Sequence, residues 1–369
     1  MINFISNTPR ALRSGGFSAT SAAIYEALCK LDNIHYVGPI NPPVIFHQKV
    51  ASKLLRTLGS QGNFFAFSRE RLQAFAKEVC LRCSTDARLD FFHGFTPWIL
   101  TNPTRPYVTW SDCTFHDYVN IYHRRELFRP ADLERIERAE ARWLRRAQCV
   151  AFSSRWAAKR SVEHYGLDES SIRFVGIFGE VELPEDDEYR GGKQFAFIST
   201  DFKAKGGPTV IEAFRRVRKR HPDASLIIVG APPCDCVADP NVVYAGYLRK
   251  ELVEEHKRFC NILAQTRALV HPTRSDTTAM VIIEAGYFGC PAISVRKFAI
   301  PERIEHEVTG LLVDDAFDVI GLANAMNWVI EQESEYIRMR QHARAKAHND
   351  GSKYAFESKI QALVAPLIV

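Results

Sequence analysis

The apolar residues of this chain gather in short runs separated by longer stretches of helical spacing. In the first half the runs fall at residues 2–5, 34–37, 89–92, 107–110, 149–153 and 172–177, and they are rich in β-branched and aromatic side chains. Runs of this kind mark parallel strands buried on both faces. Between them, amphipathic patterns at about 17–31, 68–82, 131–146 and 155–165 predict helices. The second half repeats the scheme. Its strands are expected at 195–198, 225–229, 242–245, 268–271 and 291–295, and its helices near 207–220, 249–264, 279–289, 316–332 and 334–346, with a last one at about 353–365. Strand and helix therefore alternate as in a doubly wound parallel sheet, twice. Residues 179–192 are acidic, flanked by glycine and free of apolar periodicity, and read as a linker. The expected division is 1–182, 183–350 and a tail over 351–369. Two such domains would set their loops and helix N-termini around a central cleft.

Composition narrows the class. At 369 residues, 46% of them hydrophobic, the chain can bury a core in each of two domains. No stretch approaches the roughly 18 uninterrupted apolar residues of a membrane span. Its start, MINFIS, enters a strand without the charged and apolar regions of a signal peptide, so cytoplasmic residence is the expectation. An odd set of nine cysteines points to reduced thiols. Cys80 and Cys83 have zinc-ligand spacing but sit in a helical pattern without a second Cys/His pair, so no metal is expected there.

Charge is shared unevenly: residues 1–180 hold 24 Lys/Arg against 17 Asp/Glu, and the remainder 24 against 26. Arg124, Arg125, Arg129, Arg135, Arg138, Arg142, Arg145 and Arg146 concentrate the excess. One reading is a surface that attracts anionic lipid headgroups or a phosphorylated acceptor, which would put the chain against the inner face of a membrane. The other is a solvated helix face, since Glu126, Asp132, Glu134, Glu137 and Glu140 interleave at helical spacing. Nucleic acid is not an expected partner, because no platform of stacking aromatics accompanies the charge.

Three loops follow predicted strands and open predicted helices. Ser14-Gly15-Gly16 would let backbone N–H groups approach an anion with no Cβ in the way, though a glycine pair also makes a plain turn. Thr200-Asp-Phe-Lys-Ala-Lys-Gly-Gly207 adds two cations, Lys203 and Lys205, suited to phosphate, against the plainer reading of a lysine-bearing turn. The third segment, 272–291, puts Asp276 in a loop and Glu284 on the helix that follows. Carboxylates so placed can accept from sugar hydroxyls while the helix start holds phosphate, although a single carboxylate there is also a common N-cap.

With these pieces in this order the chain resembles glycosyltransferase family 4, retaining enzymes of the GT-B type. The resemblance covers most of the chain. Besides the three loops it includes Tyr107-Val-Thr-Trp-Ser-Asp-Cys-Thr-Phe115, Ser153-Ser-Arg-Trp-Ala157, Val175-Gly-Ile-Phe-Gly179, Ile228-Val-Gly-Ala-Pro-Pro233 and Glu284-Ala-Gly-Tyr-Phe-Gly-Cys-Pro-Ala292. It implies two Rossmann-like domains facing a cleft, acceptor in the first and donor in the second, with the last helix crossing back to the first. The donor is a nucleoside-diphosphate sugar, used as co-substrate without a further cofactor, and the acceptor is a glycan, lipid-linked or other. Glu284 would hold the ribose, Asp276 the sugar, Lys205 the diphosphate, and the backbone of Thr277, Thr278, Ala279 and Met280 hydroxyls and phosphate. The loops at Gly230 and Tyr247 would hold the base, and Gly15 and Gly16 would face the diphosphate.

The chain departs from the family pattern in four places. Asp276 stands where the family has Glu, and no Arg precedes Lys205, where Lys203 can substitute. Arg-Lys-Phe-Ala-Ile-Pro301 replaces a glycine-rich turn, and Ser111, followed by Asp112, replaces a His beside the donor. Asp112, His116, His93 and Asp276 are the candidates at the reacting centre. No Asp-x-Asp motif ends a strand, and the design needs no metal, since helix N-termini and protein cations stabilise the leaving diphosphate. The departures keep two alternatives open: a catalytically weak homologue serving as a scaffold subunit in glycan assembly, or a GT-B epimerase or phosphorylase. The loops at 41–56 and 113–130, expected to meet the acceptor, carry no readable code.

Overall fold

The computed structural model describes residues 1–12, 15–232 and 239–368. Ser14 of the first loop, Pro233, Cys234 and Cys236 lie outside the described residues. The chain divides into two compact units, one made of Met1–Gly176 with Phe356–Val369, the other of Ile177–Ala355.

The first unit is built on strands β1 (Ile2–Ile5), β2 (Ile34–Val37), β3 (Leu89–His93), β4 (Tyr107–Ser111), β5 (Cys149–Phe152) and β6 (Ile172–Phe174). They form a fully parallel sheet in the order β2-β1-β3-β4-β5-β6. Its helices are α1 (Phe17–Cys29), α2 (Phe46–Thr57), α3 (Arg69–Arg82), α4 (Phe115–Tyr122), α5 (Pro130–Leu144) and α6 (Arg155–Tyr165). Strands β1, β3, β4 and β5 are buried along their whole length, as their consecutive apolar runs require. Helix α1 buries mostly small residues (Ala19, Thr20, Ser21, Ala23, Ala27), which lets its backbone lie close to the sheet.

Among the buried acids of this unit, Glu140 is the most enclosed. Glu140 on α5 is fully enclosed and accepts from Thr96 Oγ1 (2.6 Å), Phe115 N (2.6 Å) and Tyr165 OH (2.9 Å), so it ties α4 and α6 to α5. Burial outweighs these bonds and pushes its pKa up from 4.5 to about 7. Between those values the folded chain holds a proton that the unfolded chain releases. The contribution of Glu140 to stability therefore falls as pH rises from 4.5 to 7, by up to about 3 kcal/mol. Glu140→Gln removes the titration and keeps one oxygen that can accept from Phe115 N and Tyr165 OH, while its NH2 can donate to Thr96 Oγ1. Melting curves across this range should show a flatter pH dependence for the variant, and identical slopes would count against this account of the core.

The second unit repeats the architecture with β7 (Gln194–Ser199), β8 (Ser225–Gly230), β9 (Val242–Gly246), β10 (Ala268–His271), β11 (Ala292–Val295) and β12 (Gly310–Val313), all parallel in the order β12-β11-β10-β7-β8-β9. Its helices are α7 (Gly207–Arg220), α8 (Val253–Gln265), α9 (Met280–Tyr287), α10 (Ile300–Arg303), α11 (Val319–Glu331) and α12 (Glu333–Gly351), and α13 (Lys353–Val364) follows. Helices α9 and α12 touch at small residues: a Cβ on Gly286 would sit 2.7 Å from that of Ala347. Tyr287 on α9 donates to Gly351 O and accepts from Gly179 N (2.9 Å). The acidic segment expected as a linker is held within this unit, by Arg340 on Asp187 and by Arg344 on the carbonyls of Pro184 (2.6 Å) and Glu185 (2.7 Å).

From Phe356 onward α13 belongs to the first unit, where Glu357 pairs with Lys30 (2.6 Å), Gln361 donates to Ala27 O (3.1 Å) and Phe356 meets the Trp110 ring edge-on. No helix among the described residues is long and apolar enough to cross a membrane.

Candidate functional site

Because every strand of the second sheet runs the same way, the exits of β7, β8, β9 and β10 share one edge. Glycine brings these exits together. Gly230, at the end of β8, has φ +107°, and a Cβ there would fall 2.0 Å from Ser199 O; Gly206, just before α7, has φ +86°, and a Cβ would fall 2.2 Å from Pro272 O. Only glycine allows the loop after β7 to lie against the loop after β10 so closely. A backbone bond, Arg274 N to Ala204 O (2.9 Å), joins the two.

Lys205 reaches across this junction. Its Nζ donates to Ser275 O and to Asp276 Oδ2 (2.8 Å), while Asp276 Oδ1 accepts from Ala279 N (2.9 Å) and Thr278 N (3.3 Å). Ala279, immediately before α9, is held in the left-handed region at φ 45°, a conformation costly for a residue with a Cβ. Behind the pair, His271 ends β10, 2% exposed, with Nε2 3.5 Å from Asp276 Oδ2. Burial opposes charge on Asp276, but His271 and Lys205 outweigh it and hold the carboxyl well below the usual carboxylate range.

Glu284 lies one turn into α9 and is buried at 2% exposure. Its Oε1 takes both Lys250 Nζ (2.5 Å) and Glu180 N (2.9 Å), and Lys250 also lies 3.9 Å from Glu180 Oε2. Burial disfavours the Lys250 charge, yet the two glutamates overcome it and raise its pKa above the ordinary lysine value. Around this core Thr277 and Thr278 are buried, Met280 is half-buried, Lys203 is exposed beside Lys205, and Tyr247 is exposed beyond β9. The structure thus gathers Lys205, Asp276, Thr277, Thr278 and Ala279 at one edge. His271 and Lys250 are not among the site residues that the sequence pattern predicts. His271 carried a signal, a polar side chain closing an apolar strand at the loop-bearing edge; Lys250 carried none that separated it from other lysines in a charged helical stretch.

In the first unit Gly15 (φ +88°) and Gly16 (φ +43°) lead into α1, and the space where a Cβ of Gly15 would lie is open. His93 ends β3, fully buried, with its ring 4.1 Å from that of Phe17 and stacked on Trp110, and with Nε2 3.2 Å from Thr20 Oγ1. Burial lowers its pKa to about 3, so the imidazole is neutral. Asp112 follows the neighbouring strand β4, half-buried. His116 lies instead on α4, its Nδ1 3.1 Å from Glu137 Oε1 and its ring stacked 4.1 Å from His164. His116, Asp117 and His164 place three ligand-type atoms within 4.8 Å of one another, but Arg160 already neutralises Asp117 through contacts of 2.9 and 3.0 Å.

Residues 182–346, most of the second unit, match the family model of glycosyl transferases group 1. A GDP-mannose-dependent alpha-(1-6)-phosphatidylinositol monomannoside mannosyltransferase of Mycobacterium tuberculosis is 28% identical over 126 residues, 30% of this chain and 31% of that protein. Human alpha-1,3/1,6-mannosyltransferase ALG2 is 24% identical over 274 residues, 65% of each chain. The alignments thus span about a third to two thirds of these relatives' length. Among solved structures, sucrose-phosphate synthase of Thermosynechococcus elongatus superposes with a TM-score of 0.69 at 17% identity, covering 99% of this chain and 98% of its own. Anabaena HepE, solved with UDP and glucose, gives 0.67 at 16%, covering 99% of both. The fold is the two-domain α/β fold of the GT-B type.

Proposed function

From a glycosyl transferases group 1 region carried on a GT-B fold, we propose that this chain moves a sugar from a nucleoside-diphosphate sugar to a glycan or lipid-linked acceptor. The observation that carries this reading is Lys205, reaching between two loops to Asp276 beside the starts of α7 and α9. A diphosphate arriving there meets a cation and the positive dipole ends of two helices, an arrangement that stabilises charge developing on a leaving phosphate. Such a site supplies its own positive charge and calls for no metal. Asp276, kept charged, accepts from a hydroxyl of the donor sugar. Glu284, with Oε1 taken by Lys250 and Glu180 N, offers Oε2 to the ribose. The base contacts at Gly230 and Tyr247 are carried over from the family 4 resemblance. Retention of anomeric configuration is carried over from the family 4 resemblance. For the first unit, the neutral, enclosed His93 suits a positioning role, whereas half-buried Asp112 is the better candidate at the reacting carbon; His116 is engaged by Glu137 and His164. The names of the mycobacterial relative and of HepE point to a mannosyl-lipid acceptor with GDP-mannose and to UDP, respectively, so the base is open to experiment.

Thermal-shift measurements against UDP, GDP, ADP and dTDP test the donor site. One nucleotide at about a hundred times its Kd should stabilise the chain by roughly 2.7 kcal/mol. Glu284→Gln, which keeps an acceptor for Glu180 N, should abolish the shift. A melting temperature indifferent to all four nucleotides would overturn the proposal.

A further inference from the structure

Among the described residues, helix α2 turns one apolar face toward solvent. Phe46, Val50 and Leu54 on α2, with Leu58 at its C-cap, recur at every fourth position and are 77%, 46%, 56% and 70% exposed. At about 100° per residue they fan over roughly a third of the helix circumference. The opposite side carries Ser52, the one buried residue of the helix, which donates to Asn63 O (2.6 Å). Single exposed apolar residues are ordinary on a protein surface, but four large ones in a row mark a surface that something covers.

The charge around this row identifies the occupant. From residue 33 to residue 69 there is no Asp or Glu, while Lys49, Lys53, Arg56 and Arg69 are all basic; the one carboxylate bonded to α2 among the described residues is Glu70, which accepts from Gln48 (3.1 Å). Lys49 and Lys53 are exposed and line one edge of the apolar row on α2. The loop after α2 is bonded to a second segment, through Gly62 N to Leu127 O (3.0 Å) and Arg129 N to Gly62 O (2.9 Å), and that segment exposes Arg129 beside an Arg124–Glu126 ion pair (2.8 Å). A second copy of the chain, docking the same face symmetrically, would set lysine against lysine. An anionic bilayer meets both demands at once, since its acyl boundary takes the apolar row and its phosphates take the adjoining cations. We propose that α2 lies in the interface of an anionic phospholipid membrane and docks the chain there. The inference stands on α2 and its surroundings, independently of the donor site.

The test is co-sedimentation of the full chain with vesicles of phosphatidylcholine, alone or with one third phosphatidylglycerol. Binding to the anionic vesicles is expected, weakening as salt is raised. Leu54→Ser with Leu58→Ser should weaken it at least tenfold, and Lys49→Glu with Lys53→Glu about tenfold or more. All four side chains are solvent-exposed, so melting temperatures and nucleotide-induced shifts should stay at the wild-type value, which separates this result from failure of the donor site. Equal vesicle binding by wild type and both variants would overturn the proposal. So would a dimer, seen by light scattering, that the leucine variant dissociates while vesicle binding persists.

Discussion

Lys205→Ala should lower the rate of sugar transfer by about two to three orders of magnitude, the usual cost of removing one preorganised group that faces developing charge. Lys205 bridges Ser275 O and Asp276 in the resting chain. Its charge is therefore already positioned and partly desolvated where a diphosphate would depart. The loss should fall mainly on kcat, because the interaction strengthens as the glycosidic bond breaks, and KM should change much less. Lys205→Arg restores the charge but replaces a compact ammonium with a planar fork, and only partial recovery is expected. A second signature concerns pH. Burial opposes ionisation of Asp276, and Lys205 is one of the two groups that overcome it, His271 being the other. Without Lys205 the carboxyl pKa must rise, so the acid limb of the pH–rate profile should move to higher pH. A variant with wild-type kcat and an unmoved acid limb would remove Lys205 from the chemistry.

The largest stability effect is expected at Lys250. It lies 2.5 Å from Glu284 and 3.9 Å from Glu180, whose side chains are 2% and 7% exposed, against the ring of Phe259. Lys250→Met keeps much of the apolar stem and leaves two buried carboxylates without their cation. Breaking a buried pair in this way costs about 3–5 kcal/mol. The deficit should shrink on acidification, because a carboxylate deprived of its cation takes up a proton more readily and the repulsion then disappears. Chemical denaturation at neutral and mildly acidic pH measures both parts. A variant as stable as wild type at neutral pH would show that Lys250 carries no such load. Nucleotide affinity should fall together with stability, since Lys250 fixes the oxygen of Glu284 opposite the one offered to ribose.

Most of this architecture is legible in the sequence because buried parallel strands leave a strong trace. The six runs expected in the first half fall on β1 to β6, the fifth ending one residue early at Phe152 and the last cut short at Phe174, before Gly176. Strand β12 went unread: four residues, Gly310–Val313, are too short a run to stand out once a glycine opens them. Helix α2 falls almost entirely within an expected loop, 41–56, for the opposite reason. Its apolar residues are regularly spaced but face solvent, and Pro42 and Pro43 immediately upstream suggest irregular chain. Helix α4 was hidden similarly, being only eight residues long between polar segments. At the site, Asp276 and Glu284 were visible because loop and helix positions can be counted from a strand. The groups that set their electrostatics, His271 and Lys250, come from elsewhere in the chain, and no spacing rule connects Lys250 to a carboxylate 34 residues away.

The return of Phe356–Val369 to the first unit sets an order for synthesis. The second unit is one continuous stretch, Ile177–Ala355, whereas the first is assembled from two segments that flank it. A ribosome making this chain completes the later-starting unit first, and β1 to β6 must wait for α13 until the second unit has been translated in full. At typical rates of roughly 5–20 residues per second, that interval lasts on the order of ten to forty seconds, during which Trp110 and Lys30 lack the Phe356 and Glu357 that finally cover and pair them. For the nascent chain, the sheet that emerges first is the last to be finished.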